Sequence, residues 1–141
     1  MKILAIDVGT GTQDILLYNS KIDLENCFKM VLPSPTMMVR HRLQRATARG
    51  EAVLLTGVTM GGGPSQWAAE DHLRAGLPLY ATPEAAQSFN DDLSLAQEMG
   101  IQVVSGDEAA RLLSSIVRLE TRDFDFTMIN QVMTEFGVNM D

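Results

Sequence analysis

Two aspartates bracket a turn of small residues near the start of the chain. From Ile3 to Asp14 the sequence reads ILAIDVGTGTQD: an apolar run reaches Asp7, Gly9-Thr10-Gly11-Thr12 follows, and Asp14 comes next but one. Glycines let a backbone turn tightly and present N–H groups to an anion. Thr10 and Thr12 add hydroxyl donors. A strand-end carboxylate such as Asp7 can hold a divalent metal, directly or through water, and that metal can bridge to phosphate oxygens. These residue types suit a metal–phosphate site. They would equally serve an ordinary hairpin turn whose aspartate accepts turn amides.

The elements around the turn narrow the choice. Lys2 to Val8 is rich in aliphatics and reads as a strand. Gln13 to Tyr18, QDILLY, shows no helical gap and reads as a second strand. A strand, not a helix, therefore follows the glycines. That excludes the dinucleotide fingerprint, which needs a helix N-terminus at this point, and no G-x-x-x-x-G-K-[ST] loop is present. Cys27 to Leu32, CFKMVL, is a candidate third strand ending at Pro33.

Beyond Pro33 the pattern becomes helix alternating with strand. Ser34 is a candidate cap and Pro35 a first helical residue, with Val39, Leu43 and Ala46 as the apolar stripe and Gly50 as the stop. Arg40, Arg42, Arg45 and Arg49 lie mostly off that stripe and read as a solvated face. Ala52 to Met60 is the strongest strand signal, and Gly61 to Gly63 stop it. A helix then runs from about Pro64 to Ala75, followed by a short strand LPLYA and a cap-plus-proline opening at Thr82 and Pro83. Further elements are a helix over about Asp92 to Met99, a strand IQVVS, a helix opened by the capping box Ser105 and Glu108, a strand IVRLE and a helix FTMINQVMTEF closed by Gly137. Alternation implies parallel strands joined by right-handed crossovers, and the opening hairpin implies an antiparallel part. The expected fold is α/β: one mixed sheet of antiparallel hairpin strands and parallel strands, helices on both faces, over residues 1–141 as a single domain.

Composition bounds the function. A chain of 141 residues with 45% hydrophobic residues can bury a real core. Its formal net charge of −7 disfavours broad nucleic-acid or anionic-membrane binding. Cys27 is the single cysteine, so this chain can form no internal disulfide and no all-cysteine iron–sulfur or zinc site. His41 and His72 both read as helical side chains, solvated or in the core. No signal peptide or membrane span is read, and the expectation is a soluble cytoplasmic protein.

The stretch AIDVGTGT resembles the first phosphate-binding motif of the actin, heat-shock-70 and sugar-kinase superfamily, with Asp7, Gly9 and Thr10 matching its Asp-x-Gly-Thr core. That superfamily's ribonuclease-H-like first lobe also begins with strand hairpins and continues as alternating helices and strands. The resemblance implies a nucleotide held between two lobes, with Asp7 serving Mg²⁺ and Gly9 to Thr12 contacting ATP phosphates. Sugar kinases often carry Arg or Lys seven residues after the first Asp; here that residue is Asp14, which weakens nucleotide binding or marks a second metal-facing acid. No second phosphate motif or adenosine motif is present, so the chain reads as the N-terminal lobe of a longer protein, with a second lobe or another copy as partner. A closer likeness, across DVGTGTQDILL, MVLPSPT, LLTGVTMGGGP and LYATPEAAQSFNDD, is to an uncharacterised family labelled as linked to pyruvate formate-lyase activation. Radical activation of that kind uses a three-cysteine cluster motif, which one cysteine cannot supply.

Two further stretches carry candidate chemistry. TGVTMGGGPS runs from a strand into a helix, where amide groups can meet a ligand; Thr56, Thr59, Gly61, Gly62, Gly63 and Ser65 are the candidate substrate-loop contacts, and a plain crossover loop with Gly63 or Ser65 as cap is the simpler reading. FNDD, Phe89 to Asp92, reads as a cap by Asn90 or Asp91, or as acids joining Asp7 around metal. Trp67 is expected to pack, Cys27 to be structural, and the nine methionines to line an adaptable core or interface. The leading expectation is a Mg-nucleotide-binding lobe, its phosphoryl transfer or ATP hydrolysis confined to a two-lobe protein. A ribonuclease-H-like nuclease using Asp7 with Asp91 or Asp92, and a non-enzymatic interaction module, are the alternatives.

Overall fold

The computed structural model describes residues 1–140. The chain divides into two compact units: residues 1–34 together with the C-terminal segment from Phe124, and residues 35–123.

The first unit is a three-stranded antiparallel sheet, β1 (Lys2–Val8), β2 (Thr12–Asn19) and β3 (Phe28–Pro33), with β2 in the middle. Side chains alternate between faces in a strand. One face of β2 accordingly buries Gln13, Ile15 and Leu17, while Thr12, Asp14 and Leu16 belong to the other. The buried face meets α6 (Phe126–Glu135), whose Ile129 and Met133, four residues apart on one helical face, are fully buried against it. Asp125 starts α6 by accepting from the Met128 amide at 3.0 Å. A segment from the far end of the sequence thus completes the core under the opening hairpin.

The second unit is a four-stranded parallel sheet ordered β6-β5-β4-β7: β4 is Val53–Gly57, β5 Leu79–Ala81, β6 Gln102–Val103 and β7 Val117–Thr121. Val53, Leu54 and Leu55 are consecutive and all fully buried, so both faces of β4 are covered, as parallel sheets require. The helices are α1 (Pro35–Arg49), α2 (Pro64–Arg74), α3 (Pro83–Ala86), α4 (Leu93–Glu98) and α5 (Gly106–Arg111). The expected α1 stripe is buried: Val39, Leu43 and Ala46, together with Thr36. The expected capping box also forms, Ser105 accepting from the Glu108 amide and Glu108 from the Ser105 amide. His72 is fully buried and helical. Its Nε2 lies 3.2 Å from the Pro78 carbonyl, which can only accept, so Nε2 carries a proton; its Nδ1 lies 2.8 Å from Thr47 Oγ1, which also donates to the Leu43 carbonyl at 2.9 Å.

The mixed α/β composition and the antiparallel-then-parallel order are as the sequence indicates. The single mixed sheet is not: the strands form two sheets. β4 has β5 on one side and β7 on the other, so neither of its edges is open to a hairpin strand. Alternation of helix and strand fixes that the later strands run parallel, but not which edge each one takes. Trp67, expected to pack, is 61% exposed on α2. The α2 face turned inward is instead made of small residues, Ala68 and Ala69, with His72.

Candidate functional site

The first site is built on the β1–β2 turn. Gly9 N–H donates to the Thr12 carbonyl at 2.9 Å and closes a two-residue loop of Thr10 and Gly11. Buried Ser34, at the end of β3, holds that loop from behind. Its Oγ donates to the Thr10 carbonyl at 2.7 Å and its N–H to the Gly11 carbonyl at 3.1 Å. Both loop carbonyls are thereby engaged. Among the described residues nothing accepts from the Thr10 and Gly11 amides. The hydroxyl read as a candidate helix cap thus also fixes the turn.

Register then places the acids. Asp7 pairs directly with Asp14 across β1 and β2. Directly paired residues share a face with Cβ atoms about 5 Å apart. The two carboxylates are both exposed and stand side by side on the face away from α6. Like charges so placed repel, and a divalent cation between them relieves that repulsion. They border a shallow, largely apolar depression of about 420 Å³ formed by Ala5, Leu16, Lys29 and Val31. Lys29 pairs with Leu16 and Val31 with Asp14, which sets Lys29 on the same face, diagonal to Asp14. That lysine was not singled out from sequence; the β2–β3 register was the signal that could have found it.

The second site lies at the carboxyl edge of the parallel sheet. Thr121 on β7 secures the end of β4: its Oγ1 shares a donated hydrogen between the Thr56 carbonyl at 3.1 Å and the Val58 carbonyl at 2.7 Å. Gly57 has φ +111°, and a Cβ there would lie 2.2 Å from the Thr121 carbonyl, so only glycine fits. The loop that follows is pinned by hydroxyls. Thr36 and Ser65 both donate to the Gly62 carbonyl, and Thr36 accepts from the Ser65 amide at 3.1 Å. Thr59 Oγ1 donates to the Glu84 carbonyl at 3.0 Å, and the Met60 amide donates to Ser88 Oγ at 3.0 Å. Gly63, at φ +59°, precedes Pro64 as the residue from which α2 starts. Thr56 and Ser65 thus have structural contacts, Ser65 being fully buried in the first turn of α2.

These ties bring the glycine loop against the turn between α3 and α4. Together they border an open polar depression of about 480 Å³, lined by Thr59, Gly62 and Gly63 on one segment and by Gln87, Asn90 and Asp91 on the other, with Gln66 from α2. Two stretches singled out separately from sequence therefore share one pocket. Gln66 and Gln87 were missed because carboxamides on helical segments carry no motif. The FNDD cap falls one residue later than expected. Asp92, not Asn90 or Asp91, caps α4, accepting from the Ser94 amide at 2.9 Å and Ser94 Oγ at 2.6 Å; these bonds hold its carboxyl below the usual range. Asn90 supports it by accepting from the Asp92 amide at 2.9 Å.

Among the described residues no three His, Cys, Asp or Glu side chains gather as a metal cluster. Cys27 is buried against Asn19, its Sγ accepting from the Asn19 amide at 3.4 Å. Among the described residues no helix is long and apolar enough to cross a membrane.

The fold is thus an α/β protein with an acid-flanked hairpin turn in one unit and a glycine-loop pocket in the other. A family profile described as "Putative pyruvate format-lyase activating enzyme (DUF1786)" matches residues 60–141, more than half of the chain. The chain belongs to that family. Neither the curated proteins nor the solved structures contain a significant match to it.

Proposed function

We propose that the chain binds a Mg-nucleotide through its opening hairpin, with Mg²⁺ on Asp7 and Asp14 and the nucleotide phosphates on Gly9 to Thr12. The observation that carries this reading is the pairing of two exposed carboxylates beside a turn whose carbonyls are engaged and whose amides are unused. Amides alone would attract a phosphate, and the acids alone would repel it. A divalent cation on the acids reconciles the two, because it binds carboxylate and phosphate oxygens together. Lys29, on the same face, adds a positive charge where a basic residue at position 14 is missing.

The likeness of AIDVGTGT to the first phosphate motif of the actin, heat-shock-70 and sugar-kinase superfamily supports this reading. The two-sheet arrangement adds nothing to it, so the proposal of a ribonuclease-H-like lobe rests on the motif and the hairpin. Phosphoryl transfer or ATP hydrolysis would require groups from a second lobe or a partner copy. The family's description names radical activation; one buried cysteine within this chain offers no ligand set for the cluster such chemistry uses.

The test is titration calorimetry of the full chain with ATP, with and without Mg²⁺. The expected result is binding that requires Mg²⁺ and is lost in Asp7→Asn. Equal binding without Mg²⁺, or binding unchanged in Asp7→Asn, would refute the metal bridge.

A further inference from the structure

We propose that the exposed arginine row of α1 is a docking surface for an acidic helical segment of a partner protein. The row lies within residues 35–123, and the proposal stands independently of the nucleotide reading. α1 holds four of the chain's eleven basic residues and none of its eighteen acidic ones. Its apolar stripe is committed to the core, which leaves the outer face for other contacts. There Arg42, Arg45 and Arg49 are exposed and follow one another at three- and four-residue spacing. They form a single row about 10 Å long. Arg40 lies off this row, on the other flank of the helix. From sequence such a row reads as a solvated face; in the structure it is also unpaired. Among the described residues none of the three arginines makes a hydrogen bond or an ion pair. Arg74 on α2, by contrast, pairs with Asp71 at 2.6 Å.

Like charges three and four residues apart destabilise a helix. The negative end of α1 offsets that repulsion for Arg49, in its last turn, but not for Arg42 two turns earlier. Solubility alone would be served by mixed signs without the repulsion. A row of acids on a partner relieves it, and charge complementarity with the surroundings selects which anion. A membrane-surface helix needs its apolar face for lipid, whereas α1 has Val39, Leu43 and Ala46 buried in the core. A nucleic-acid strand would run past the row and meet a chain of net charge −7, and α1 has no phenylalanine, tyrosine or tryptophan on which a base can stack. An acidic helix is compact enough to stay on the row. It has the same repeat and rise as α1, so its carboxylates come into register with the guanidinium groups, each of which can grip one through two parallel hydrogen bonds.

The experiment is a fluorescence-anisotropy titration of the full chain into two labelled helical peptides of one composition. The first carries glutamates at three- and four-residue spacing along one face; the second has them scattered around the helix. The expected result is saturable binding to the first, about tenfold tighter than to the second, as a few exposed ion pairs supply, and weakening as salt rises. The triple exchange Arg42→Gln, Arg45→Gln and Arg49→Gln should abolish it. All three positions are exposed, and an unchanged thermal melt will show that the variant folds. Lysine at the same three positions keeps the charge but loses the paired donors, so that variant should bind more weakly than the native chain and more tightly than the glutamine variant. Equal affinity for the two peptides, or binding that survives the glutamine exchanges, would overturn the proposal. Tighter binding of the native chain to single-stranded DNA or to phosphatidylserine vesicles would overturn the choice of a protein partner.

Discussion

The β1–β2 turn and the β4–α2 loop are both glycine-rich and both leave strands, yet they are held in different ways and flanked by different side chains. The first is a two-residue loop held from behind by Ser34, with two carboxylates paired beside it on an open sheet face. The second is pinned by the hydroxyls of Thr36, Ser65 and Thr59 and lies beside carboxamides. Glycine supplies the same thing in each, unobstructed amides. The side chains placed alongside differ: paired carboxylates beside the turn, and carboxamides with Asp91 beside the loop. The supports differ as well. The turn rests on a thin sheet whose core is completed by α6, whereas the loop leaves a strand buried on both faces.

That contrast can be broken by loosening one unit at a time. Ile129→Ala removes a fully buried side chain from the smaller core and should cost about 2–5 kcal/mol. Hydrogen exchange should speed up in β1, β2 and β3 before it does in β4; equal loosening of both sheets would contradict separate cores. Gly57→Ala forces a side chain into positive φ and against the Thr121 carbonyl. It should lower stability by at least about 1–3 kcal/mol in denaturant melts, with exchange rising first in β4 and β7.

The larger unit carries its own pH signature. Burial lowers the pKa of His72, although its bond to Pro78 opposes the shift. The folded state therefore keeps the imidazole neutral while the unfolded chain takes up a proton below about pH 6.5. Stability from this group is complete above that pH and is lost as pH falls towards the folded value. The denaturant midpoint should drop on acidification, and His72→Gln should flatten that part of the profile. The smallest effect belongs to the turn. In metal-free buffer Asp14→Asn removes a like-charge pair and should raise the melting temperature slightly. Added Mg²⁺ should then stabilise the native chain more than the variant.

Much of this was legible in the sequence because it was local. The Val39, Leu43 and Ala46 stripe, the Ser105 and Glu108 box and the two prolines opening α2 and α3 all act over one or two turns. The hairpin was legible too, since QDILLY follows a turn with no room for a helix. What escaped depends on pairing at long range. Asp14 gained its meaning only from a register that sets it opposite Asp7. Ser34 reads as a cap in sequence, and nothing local says that its hydroxyl also fixes a turn 24 residues earlier. Nothing near Ile129 says that its partners are Ile15 and Leu17. The pocket joined Gly62 to Asn90 only once β4 and β5 were aligned in parallel, and its carboxamides have no spacing to betray them.

The proposed metal–phosphate site unites Asp7, Asp14 and the Gly9–Thr12 turn. The most direct measurement replaces Mg²⁺ with paramagnetic Mn²⁺ and follows amide line broadening in the labelled full chain, first alone and then with ATP. The expected result is broadening centred on Asp7, Gly9 to Thr12 and Asp14, strengthened by ATP and abolished in Asp7→Asn. Broadening centred on Asp91, or a turn untouched by Mn²⁺ and ATP together, would contradict it.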